Sequence, residues 1–210
     1  LGSWEPDHLV IRRLAKRPTG HLSEVRQIQN RLQQDHLHAT EVVVDFGGFR
    51  ALDGASLTAS TEEVVGLIGP NGAGKTTLLN AITGLVTPSA GSIRLDREVL
   101  DDLPSHLIAQ AGVVRTFQNL RLFPALSVEE NIGVARLAVA GHVVDRPQPE
   151  VELLISASGL TELRHRRAGE LDYGNARRLE LARAAAAAPR FLLLDEPTSG
   201  MGDLESEEMI

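Results

Sequence analysis

EVVGLIGPNGAGKTT, residues 63–77, decides the fold. The apolar run from Val64 to Ile68 leads straight into a loop with three glycines, one lysine and two threonines. Glycine inside a strand or helix costs roughly 0.5–1 kcal/mol against alanine, so this much backbone freedom calls for a compensating ligand. Gly69, Gly74, Lys75 and Thr76 fit G-x-x-x-x-G-K-[ST] without a mismatch. Such glycines let successive backbone N–H groups turn inward around phosphate oxygens. The helix expected from KTTLLNAITG adds its positive N-terminal dipole. Lys75 then reaches the β and γ phosphates, and Thr76 offers its hydroxyl to Mg²⁺. The cradle comprises Gly69, Pro70, Asn71, Gly72, Ala73, Gly74, Lys75, Thr76 and Thr77.

Upstream of this loop, EVVVDF at 41–46 reads as a strand, with a second from Phe49 to Leu57 across a turn at Gly47–Gly48. EVVGLIG reads as a buried strand. Downstream, SIRL (92–95) and GVVRTF (112–117) read as strands, with a helical turn in LPSHLIAQ (103–110). Residues 127–188 switch to helical periodicity. Ser127 and Glu130 form a capping-box pair ahead of one helix. EVELLISASGL supplies a second, ending near Gly159, and NARRLELARAAAAA a third, stopped by Pro189. FLLLD at 191–195 is a continuous apolar strand of the kind buried on both faces. Asp195 closes that strand, where an acid can hold a metal beside phosphates. Glu196 follows, placed to orient or deprotonate a water for attack on the γ-phosphate.

Composition narrows the classes. A chain of 210 residues with 42% hydrophobic and 23% charged content suits one domain with a packed core. Aromatics at 3% and a net charge of -7 argue against a nucleic-acid partner. The absence of cysteine excludes disulfides, thiolate catalysis and Cys-ligated zinc. No stretch approaches the ~18 apolar residues of a membrane span. Residues 1–39 differ in character and read as a linker or tail, with helical spacing at Leu22, Val25, Ile28 and Leu32.

GPNGAGKTT, RTFQNLRLFP, LDYGNARRLELARA and FLLLDEPTSG, in that order, resemble an ABC transporter ATPase subunit over residues 41–205. RTFQNLRLFP, the tyrosine-glycine signature and SGM after DEP are most similar to the importer ATPases for branched-chain amino acids. The resemblance implies an α/β P-loop NTPase core with an antiparallel β subdomain and an inserted α-helical subdomain. The cassette would span 40–210, with the helical part at about 119–180. It implies ATP and Mg²⁺ as ligands. Phe46 would stack on adenine, and Gln118 would contact Mg²⁺ and the attacking water. Thr76, Gln118 and Asp195 would serve the metal. Leu171, Asp172, Tyr173, Gly174 and Asn175 would form the signature that touches ATP held by a second, head-to-tail ATPase subunit. Membrane permease subunits and, indirectly, a solute-binding protein are the implied partners, at the cytoplasmic face of the membrane.

Several positions depart from the family. Asp172 stands where a serine donates to the γ-phosphate, and like charges ~4 Å apart repel by about 4 kcal/mol at an effective dielectric of 20. Asn175 replaces the usual glutamine, and Gly202 falls on the D-loop acid or amide position. The family's switch histidine lies some thirty residues past the catalytic glutamate, so the chain ending at Ile210 is expected to be incomplete at its C-terminal side. Asp172 and Gly202 leave open a nucleotide-binding module with little turnover and a regulatory or docking role.

Overall fold

The computed structural model describes residues 10–14, 35–61, 63–139 and 147–195. The helix expected within 22–32, together with Glu196 and Gly202, lies outside them. The chain divides into two compact units, residues 1–105 and 106–210.

The first unit is built on an antiparallel sheet in the order β3-β2-β5-β6: β2 His36–Phe46, β3 Phe49–Ser60, β5 Ala90–Leu95 and β6 Glu98–Val99. Gly47 and Gly48, both at positive φ, close the β2–β3 hairpin and pair Phe46 with Phe49. This sheet is the antiparallel subdomain expected from the sequence. β2 starts at His36, however, inside the segment expected as a linker. Leu37 and Ala39 are buried there and pair with Ala59 and Leu57 on one side and with Leu95 and Ile93 on the other. The period-2 alternation of this stretch fits a half-buried strand. A further strand, β1 Val10–Leu14, pairs antiparallel with β4 Val64–Ile68. β4 precedes helix α1, Lys75–Ile82, which buries Leu78, Leu79, Ala81 and Ile82. β4 is not the fully buried strand that its run of apolar residues suggested. Val64 and Ile68 are half exposed, because continuous apolarity implies cover on both faces only where layers lie on both.

The second unit joins β7 Val113–Arg115 and β8 Phe191–Leu193 in parallel, Val113 opposite Phe191. Helix α2, Ser105–Ala111, precedes β7. Its helical body consists of α3 Val128–Val139, α4 Val151–Ala157 and α5 Tyr173–Ala186. Their core is Val128, Ile132, Ile155, Leu160, Leu179, Ala182 and Ala186, each large side chain contributing about 1.5–3 kcal/mol on burial. α3 opens on the expected capping box: Ser127 N–H donates to Glu130 Oε2 at 2.7 Å, and Glu130 N–H donates to Ser127 Oγ at 3.2 Å. Asn131, fully buried, accepts from Phe123 N–H and donates to the carbonyls of Phe123, Leu126 and Ser127. It fixes the loop that enters α3. Arg164 is an ion-pair hub to Glu129 and Glu152. β8 also corrects its expectation: Phe191 and Leu193 are buried while Leu192 and Leu194 are exposed, so one face is covered. Among the described residues no helix is long and apolar enough to cross a membrane.

Candidate functional site

The residues singled out in the sequence fall on both units. On the first, Gly69–Gly74 form the loop between β4 and α1, and Lys75, Thr76 and Thr77 are the first residues of α1. Gly74 is the N-cap of α1 in the left-handed region, φ 84°, and no side chain caps the helix. An α-helix leaves its first four N–H groups without intrahelical partners, so this end keeps donors for an anion. A Cβ at Gly74 would stand 2.5 Å from Leu52 Cδ2 and 2.9 Å from the Ala51 carbonyl oxygen. One at Gly72, φ 86°, would meet nothing within 4 Å, so the mouth of the loop is open. Lys75 Nζ donates to the carbonyls of Gly69 and Pro70 at 2.7 and 2.8 Å. The ammonium is thereby held across its own loop. Thr76 is exposed. Uncapped N–H groups, one cation and an accessible hydroxyl form a donor set that fits a polyphosphate with its metal. Phe46 sits at the tip of the β2–β3 hairpin with 48% of its surface exposed, which suits a contact face rather than the sheet core.

His36 and His38, two apart on β2, stack at 5.7 Å between ring centroids. No group of three or more metal-binding side chains occurs among the described residues.

On the second unit, Asp195 follows β8 and Gln118 follows β7. Asp195 Oδ2 accepts from Arg115 Nη2 at 2.6 Å, and both side chains are nearly buried. Gln118 is exposed. Glu196 lies outside the described residues. Leu171–Asn175 lead into α5, and Asp172 is its N-cap. The Asp172 carboxylate accepts from Asn175 N–H and from Asn175 Nδ2, each at 2.8 Å. The backbone N–H of Asn175 first, and its side-chain amide second, hold Asp172 below the usual carboxylate range. The acid is ionised and turned to its own helix. Asn175 joins it there, so both departures from the family pattern serve one cap. Tyr173 is exposed beside them.

This geometry separates two effects of Asp172. Replacing an N-cap aspartate by alanine costs about 1 kcal/mol, whereas serine caps as well. Asp172→Ala is therefore expected to lower the denaturation midpoint, and Asp172→Ser to leave it unchanged. A depressed carboxylate stabilises the fold above its unfolded pKa and loses that contribution as pH falls through the folded value. The difference between aspartate and alanine at 172 should thus hold at neutral pH and shrink only in acid. Removing the charge from the signature should also raise ATP turnover of the assembled protein at least about fivefold, the 1 kcal/mol of a like-charge pair at 4 Å in water-like surroundings. Unchanged turnover in Asp172→Ser would refute the repulsion.

Three residues at this site escaped the sequence reading. Arg115 faces Asp195, and Arg177 and Glu180 form a wholly buried ion pair on α5. A signal existed. Arg177, Glu180, Ala184 and Ala187 recur at helical spacing, and all four are buried.

A protein-family model described as "ABC transporter" matches residues 52–199. The high-affinity branched-chain amino acid transport ATP-binding protein BraF of Pseudomonas aeruginosa is 42% identical over 187 residues, 82% of this chain and 73% of that protein. The corresponding protein LivG of Salmonella typhimurium is 39% identical over 192 residues, covering 85% and 75%. Among solved structures, the ADP form of an ATP-binding cassette of an ABC transporter aligns with a TM-score of 0.70 at 28% identity, over 83% of this chain and 74% of that one. A nucleotide-free cassette aligns at 0.65 and 26%, with the same coverage.

Proposed function

The chain belongs to the ABC transporter family, and from that premise we propose that it is the ATP-hydrolysing subunit of an importer for branched-chain amino acids. The uncapped, glycine-lined end of α1 with Lys75 across it is the observation that carries the nucleotide reading. The cargo rests on the similarity to BraF and LivG, both named as branched-chain amino acid transport ATP-binding proteins. Those names favour a working transport ATPase over a docking module.

In this reading, the N–H groups of Gly69–Thr77 and the Lys75 ammonium bind and orient the phosphates. Phe46 offers an exposed ring to the adenine. Thr76 on the first unit, and Gln118 and Asp195 on the second, are the residues that would serve the metal, and Mg²⁺ would neutralise charge on the phosphate oxygens. Glu196 takes the proton of the attacking water. Leu171–Asn175 face nucleotide held by a second ATPase subunit, so the working form is a head-to-tail pair docked on membrane permease subunits at the cytoplasmic face.

Cargo is tested by uptake. Deleting the gene should abolish high-affinity uptake of leucine, isoleucine and valine by its host, and the wild-type gene should restore it while Lys75→Ala does not. Normal uptake of all three with loss of another solute would remove the cargo assignment and leave the ATPase reading intact.

A further inference from the structure

Arg177 and Glu180 lie on the buried face of α5, each 1% exposed, and pair with one another. Replacing a buried ion pair by apolar residues of similar volume is often neutral or stabilising, so stability alone gives little reason for this one. Three further bonds show what it holds. Arg177 Nη1 donates to the Phe117 carbonyl at 3.0 Å, and Arg177 Nη2 donates to the Asp195 carbonyl at 3.2 Å. Glu180 Oε1 accepts from Phe117 N–H at 3.3 Å. These three go to backbone, so the pair fixes the chain path at Phe117 and Asp195.

The position of those bonds matters. β7 ends at Arg115, and Thr116 N–H still donates to the Leu193 carbonyl at 3.0 Å. At Phe117 the partners on neighbouring β8 give way to the α5 pair, which takes both backbone polar groups. The guanidinium groups of Arg115, at 5.3 Å, and Arg121, at 4.2 Å, each stand over the Phe117 ring. The next residue is Gln118. On the other strand, the Asp195 carbonyl held by Arg177 belongs to the peptide that leads into Glu196.

We infer that Arg177 and Glu180 are positioning residues that suspend the backbone at Phe117 and Asp195 from the helix opened by the signature 171–175. The metal-side residues Gln118 and Asp195 thereby take their placement from α5; this rests on the roles given to them above. Any shift of α5 as its N-terminal end meets nucleotide on the second ATPase subunit moves both strand ends together.

The test uses the full chain, with Arg177→Met/Glu180→Leu as the apolar replacement. Amide exchange is followed by mass spectrometry on a peptide spanning 116–119 without nucleotide, alongside thermal melts and steady-state hydrolysis. The replacement is expected to melt within a few degrees of wild type and to keep its KM for ATP. It should exchange 116–119 at least about tenfold faster and lose about tenfold or more in kcat, since small misplacements cost up to about a hundredfold. Arg177→Met/Glu180→Gln, which keeps an acceptor for Phe117 N–H, should recover part of the exchange protection, and it decides the matter if the first variant does not fold. Wild-type exchange at 116–119 in a folded variant would overturn the inference, as would faster exchange with unchanged kcat. Gln118→Ala and Asp195→Asn run beside them. If those two keep full turnover, the site assignment has failed. If they lose it and the apolar pair does not, the positioning role has failed.

Discussion

Lys75→Ala will cost about 10²–10³ in ATP turnover, the usual effect of deleting one preorganised donor aimed at developing charge. The Lys75 ammonium is held by two carbonyls of its own loop, Gly69 and Pro70. Those acceptors place a positive charge where the phosphates would lie, and they contribute little else. Losing two bonds on a partly exposed loop should alter stability by less than about 0.5 kcal/mol. A melting curve that superposes on wild type, with nucleotide binding and turnover both lost, is therefore the expected pair of results. Turnover within threefold of wild type would show that the loop's backbone N–H groups suffice and that the lysine has been misread.

Glu196→Gln should lower turnover by about 10²–10⁴, the range for a positioned general base, while leaving Mg·ATP affinity within a few-fold. The amide matches the carboxylate in shape and cannot accept the proton. Binding and chemistry separate here, unlike at Lys75. Bound but uncleaved ATP should also lengthen the life of the two-subunit form, so ATP should shift Glu196→Gln to a higher-mass species on gel filtration and shift wild type only briefly. A variant that hydrolyses at the wild-type rate would transfer the base role away from Glu196.

Much of the architecture was legible because its signals are local. The phosphate loop is a contiguous string, and the Ser127–Glu130 capping box is set by residues three apart. Pro189 marks the end of α5, which stops at Ala186. Burial was less legible. The apolar runs at 64–68 and 191–195 suggest strands covered on both faces, yet Val64, Ile68, Leu192 and Leu194 are substantially exposed. Apolarity records the cover a strand can accept, and the neighbouring layers set how much it receives. The start of β2 at His36 was missed because its partners are some 20 and 60 residues away. Asp172 shows the same limit within the site. Its charge was readable and its repulsion calculable, but the direction of its carboxylate, toward Asn175, came only from the backbone of α5.

The close approach of Gly74 to Ala51 and Leu52 bears on whether the phosphate loop is portable. The nonapeptide GPNGAGKTT looks self-sufficient, yet its last glycine is pressed against the backbone of β3, a strand more than twenty residues away in sequence. Grafted onto a scaffold without that strand, the same nine residues would keep their chemistry and lose the wall that sets their curvature. The transferable module is the loop together with the hairpin edge that moulds it.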